Sequence, residues 1–110
     1  MDEGRGQQEY IRRVLEAYRK TPGTMGTIRR PDRLLAEQLY QRGVSVTIVE
    51  NALILAAARR LMRPADAPAL GTIRSLAYFL PVIDDVLGLS VSPAYFQHLR
   101  QKLERFTASP

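Results

Sequence analysis

The sequence contains no cysteine, no tryptophan and only one histidine, His98. The first absence excludes a disulfide framework, a thiolate metal site and a cysteine nucleophile. A single imidazole excludes a histidine-based metal cluster within one chain and any zinc-finger spacing. Long apolar runs are missing as well: no window reaches the ~18 consecutive apolar residues of a membrane span. The opening stretch, Met1 to Gln8, is acidic and polar, the opposite of the basic and then greasy pattern of a signal peptide. These features point to a cytoplasmic protein with no membrane partner.

The groups that chemistry requires are equally scarce. There is no Walker-type loop and no GxGxxG. Gly23 and Gly26 lack the preceding strand that a phosphate cradle needs. His98 falls on the border of an apolar stripe, with no nucleophile placed beside it by a motif. Asp84 and Asp85 are adjacent, so on a helix they diverge by about a quarter turn and do not converge on one ion. The expectation is a non-enzymatic protein with no catalytic residue, no metal, no cofactor and no small-molecule substrate.

What is present is charge of one sign. The 110 residues carry 16 Lys+Arg against 11 Asp+Glu, for a net charge of +5. All the cations but Lys20 and Lys102 are arginine. The excess is uneven. Residues 1–22 carry +1, and residues 23–43, 44–63 and 91–110 carry +2 each, whereas residues 64–90 carry −2. That acidic stretch holds Asp66, Asp84 and Asp85. If it faces away, the remaining surface is more positive than the total suggests.

The length suits one domain over residues 1–110, with ends 1–7 and 107–110 frayed. Apolar periodicity divides it into about five helices and no strand, an all-α fold. The first helix, about 8–20, carries a stripe of Tyr10, Ile11, Val14, Leu15 and Tyr18, and Thr21-Pro22-Gly23 ends it. The second begins near Pro31, with Asp32 in its first turn, and buries Leu34, Leu35, Leu39 and Tyr40 before Gly43. The third, about 45–62, is apolar nearly all round and belongs at the centre; either Ser45 or Thr47 caps it. The fourth, about 73–87, contains Pro81, which kinks or divides it. Ser92-Pro93 opens the fifth, which buries Tyr95, Phe96, Leu99, Leu103 and Phe106.

Two arginine clusters stand out, and the first supplies the primary expected phosphate contacts. Arg29, Arg30 and Arg33 sit at a loop-to-helix junction, where free backbone N–H groups also favour phosphate. The planar guanidinium bonds two phosphate oxygens at once. The alternative is pairing with Asp32, Glu37 or a carboxylate from another helix. Arg59, Arg60 and Arg63 end the third helix, where the dipole favours cations in any case. Arg59, Arg60 and Arg63 are secondary candidates together with Arg12, Arg13 and Arg19, and Tyr40 and Tyr78 are either core or stacking platforms. DNA is the expected partner. The rival is a protein adaptor or inhibitor that uses its arginines against an acidic protein, with an apolar patch around Tyr78, Phe79 and Ile83. Homodimerisation is compatible with both.

The stretch from Gly43 to Leu53, with Ser45, Ile48, Val49, Glu50 and Ala52, followed after a loop by Tyr78-Phe79-Leu80-Pro81-Val82-Ile83, resembles the helical C-terminal domain of DnaD-like primosome and phage replication proteins. A Gly-x-Ser turn opens one helix of that domain, and a later helix carries Tyr followed by Ile-Leu. The terminal Trp of the pattern is absent here, and Val86 stands in that region. The resemblance spans roughly residues 34–87 and implies a helical module that binds DNA, often single-stranded, and contacts replication partners. The wider association is with bacterial replication or mobile-element accessory proteins.

Overall fold

The computed structural model describes residues 2–88 and 93–108. Five α-helices form: α1 (Asp2–Lys20), α2 (Arg30–Gln41), α3 (Val46–Leu61), α4 (Leu80–Gly88) and α5 (Pro93–Ala108). A short 3-10 turn, Leu76–Phe79, leads directly into α4. The fold is all-α, with no strand among the described residues and one isolated parallel bridge between Thr24 and Ile73.

α3 is the centre of the domain, packed by α1, α4, α5 and the 3-10 turn. Its alanines explain the position. Ala52, Ala56, Ala57 and Ala58 are all buried, and a side chain of one methyl lets neighbouring helices approach on several sides at once. Val49, Leu53 and Leu55 fill the space between. Ser45 is the cap: its Oγ accepts from Ile48 N at 3.2 Å. This satisfies one of the backbone donors that a helix start leaves unpaired.

α2 ends where the sequence demands it. Gly43 adopts φ +77°, its N–H donates to Tyr40 O at 3.0 Å, and Val44 N–H donates to Leu39 O at 3.1 Å. This Schellman arrangement satisfies the last carbonyls and turns the chain into α3 within four residues. Val44 is buried beneath the turn.

Four expectations differ from the structure. α1 begins at Asp2, six residues before the expected start. Leu34 is exposed, and Ala36 and Asp32 are buried in its place. At 3.6 residues per turn Leu34 lies about 160° round from Ala36, so both cannot face the core. The fourth segment does not start as a helix at Ile73. That residue is extended and bonded to the first loop: Ile73 N–H donates to Gly23 O at 2.8 Å, and Met25 N–H donates to Ile73 O at 3.0 Å. The 3-10 turn follows, and Pro81 sits in the first turn of α4, where its missing N–H leaves no bond unmade. Tyr95 is exposed rather than buried. The Ser92 cap and the Phe106 side chain lie outside the described residues.

Candidate functional site

Two connections, 21–29 and 62–75, meet at one end of the molecule through the Gly23–Ile73–Met25 backbone bonds. The end of α3 delivers Arg59, Arg60 and Arg63 there. Arg60 is held by three contacts: Nη2 donates to Gly71 O at 2.8 Å, Nη1 donates to Tyr78 Oη at 3.2 Å, and the guanidinium carbon lies 5.7 Å from the Tyr78 ring centroid. Tyr78 is 45 % exposed, while Phe79, against which its ring packs edge-on, is fully buried. The 3-10 turn thus anchors one aromatic in the core and presents the next to solvent.

A groove of about 310 Å³ runs between these groups, lined by Ala56, Arg59, Arg60, Arg63, Leu70, Tyr78 and Val82. A second, of about 340 Å³, adjoins it across Arg60, Arg63 and Leu70 and reaches Gly23 and Pro64. Among the described residues no carboxylate lines either one. The C-terminal end of α3 contributes about half a negative charge, which three guanidinium groups outweigh. The result is an open, cationic, partly apolar groove with one exposed aromatic ring.

Other candidates are occupied elsewhere. Arg12 bonds Glu9 and Arg19 bonds Glu16 within α1, and these guanidinium groups hold both carboxyls below their usual range. Arg13 reaches across to Glu50 on α3 at 3.1 Å. Arg59 itself pairs with Asp85 at 3.7 Å, and Arg42 pairs with Asp84 at 3.6 Å. All four of those side chains are more than half exposed, so each pair adds little stability. The two aspartates do diverge, but the acidic helix does not face away from the basic surface. α4 packs on α3 and turns each carboxylate towards an arginine.

The first cluster is also not as expected. The start of α2 already holds an anion, its own Asp32. That carboxylate is 2 % exposed and accepts from Arg29 N at 2.8 Å and from Leu76 N at 2.9 Å. Arg29, Arg30 and Arg33 pair with neither Asp32 nor Glu37 and make no ion pair among the described residues. The Arg29 guanidinium lies 3.7 Å from the Met25 sulfur, which places it at the junction of the two connections. Arg33 points to a different groove, between α1 and α2. Arg74, which the sequence did not single out, follows the bridged Ile73, is exposed and makes no ion pair among the described residues.

The chain matches no family model, no curated protein and no solved structure. Among the described residues no group of three or more His, Asp or Glu side chains is placed to hold a metal ion. No described helix is long and apolar enough to cross a membrane. His98 is exposed on α5. Tyr40 packs edge-on against Tyr10 with ring centroids 5.2 Å apart, so of the two tyrosines considered as platforms only Tyr78 stands open.

Proposed function

We propose that the protein is a non-enzymatic, nucleic-acid-binding domain that takes DNA at the groove of Arg59, Arg60, Arg63 and Tyr78, in the role of a replication or mobile-element accessory protein. The observation that carries the reading is the groove's composition: three guanidinium groups, an exposed ring and no lining carboxylate. Phosphates suit the forked guanidinium, and a ring held by Arg60 suits a base. Arg29, Arg30 and Arg74 extend the positive charge towards the first loop and the bridged segment. The resemblance of residues 43–53 and 78–83 to the DnaD-like domain points the same way, but the reading rests on the groove and not on kinship.

Fluorescence anisotropy with labelled single- and double-stranded oligonucleotides tests it. Affinity should fall steeply with salt as phosphate contacts release counterions, with a log–log slope of about −0.7 to −0.9 per contact. Arg60→Ala with Arg63→Ala should remove most of the binding at low salt. No binding at low salt, or binding indifferent to that pair and to Arg29→Ala with Arg30→Ala, rules the reading out.

Leu61, Met62 and Leu70 are exposed at the same end and favour a second reading, an acidic protein segment with apolar residues of its own. The patch first suspected for such a partner is not open, because Phe79 and Ile83 are fully buried. A bound protein that survives nuclease treatment would favour this reading over DNA.

A further inference from the structure

The groove between α1 and α2 is a different kind of surface. It has a volume of about 410 Å³, with Ile11, Leu15 and Ile28 forming its apolar lining. Gln8, Arg12 and Glu16 border it from α1, and Arg33 and Glu37 border it from α2. The two helices run antiparallel, since Tyr10 meets Tyr40 at one end, while at the other Tyr18 packs on Phe79 of the 3-10 turn whose Leu76 N–H donates to Asp32. Arg12 therefore stands at the level of Glu37, and Glu16 at the level of Arg33. The charges alternate in sign around the four corners.

A square of alternating charges is complementary to itself after a twofold rotation about an axis in its plane. That is the requirement for an isologous contact, in which one patch meets the same patch on a second copy. The intrachain partners choose between the two possible axes. Arg12 holds Glu9, and Glu16 holds Arg19 and Lys20. Arg33 and Glu37 make no ion pair among the described residues, and Glu37 is half-buried. An axis across the groove sets Arg33 of each copy against Glu37 of the other.

We infer that the α1–α2 groove binds a second copy of this chain through two equivalent Arg33–Glu37 contacts over the apolar floor. The 12 residues of α2 span about 18 Å, and two helices side by side are about 20 Å wide, which gives roughly 360 Å² per partner. The total lies below the about 1,200 Å² of a stable specific interface, so the dimer is weak, in the micromolar range or above. This surface lies apart from the Arg59–Arg63 groove, and the inference stands whether or not DNA binds there.

Sedimentation of the full chain, without nucleic acid, from about 10 μM to about 1 mM tests it. The mass should rise from monomer towards dimer. Arg33→Glu and Glu37→Arg, each alone, set like charges together twice, and each should raise the dimer Kd at least tenfold, to about 10 times its value or more. An equimolar mixture of the two variants restores both contacts and should dimerise as the wild type does. Both substitutions are at the surface of a helix, and circular dichroism confirms that the variants fold. A wild type that stays monomeric up to about 1 mM, a dimer indifferent to either reversal, or a mixture that fails to restore association overturns the inference.

Discussion

Replacing Asp32 should do more damage than replacing any other acidic residue described. Its carboxylate is the single buried charged group among the described residues, and it joins two segments 44 residues apart. Asp32→Ala leaves the buried Leu76 N–H without a partner, at a cost of about 2 kcal/mol within the usual 1–3. It also removes the acceptor for Arg29 N–H, about 1 kcal/mol for a lost helix-start bond. The anion at the positive end of α2 adds about 0.5 kcal/mol. The expected loss is therefore about 3–4 kcal/mol, a large part of the 5–15 kcal/mol typical of a whole domain. Asp32→Asn keeps one acceptor oxygen but turns an NH2 towards the other donor, and should lose about 2 kcal/mol. Urea unfolding followed by far-UV circular dichroism measures both, with an unchanged m-value showing that stability alone has moved. Hydrogen exchange adds a local readout, because the Leu76 amide should lose protection in both variants. A loss under about 1 kcal/mol for Asp32→Ala, or normal protection of Leu76, would refute the reasoning.

Further outcomes follow from other parts of the structure. Burial pushes the Tyr10 hydroxyl up to about 12 from its ordinary 10.0. The folded state then holds its proton where the unfolded state releases it, so this contribution to stability is intact below pH 10 and declines as pH rises towards 12. Discounted for solvent screening, the decline amounts to roughly 1–2 kcal/mol. Tyr10→Phe should flatten that part of the stability profile, and denaturant midpoints at about pH 9 and pH 11.5 check it. The Tyr18 hydroxyl is buried without a hydrogen-bond partner, so Tyr18→Phe should leave stability unchanged or raise it by about 1 kcal/mol, as the thermal midpoint will show. Asp85→Asn releases Arg59 at the groove whereas Asp84→Asn releases Arg42 just after α2; the same change in net charge should tighten oligonucleotide binding more in the first, and equal effects would argue against phosphate at Arg59. Gly43→Ala forces a Cβ into φ +77° and should lower stability by roughly 1–2 kcal/mol in the same urea assay.

The sequence determined what depends on neighbours a few residues away. The number of helices, the Ser45 cap, the Gly43 stop and the central place of α3 follow from periodicity, local hydrogen bonding and a composition that leaves α3 almost no polar side. The arginines of the candidate groove were also readable as a cluster, because Arg59, Arg60 and Arg63 lie within one turn of the same helix end.

Tertiary structure decided what depends on which segments lie side by side. Asp32 reads from sequence as a helix-start residue, and only the docking of the 3-10 turn gives its second oxygen the Leu76 N–H. The two adjacent aspartates of α4 separate to Arg42 and Arg59, which no spacing rule connects to them. Tyr78 and Phe79 look alike in sequence, yet the bridge at Ile73 and the tight turn after it send one ring into the core and the other out beside Arg60. Helical periodicity records which side of an element is apolar. It carries no information about the partner across the contact, and pairing across contacts is what divided these charges into bonded and open ones.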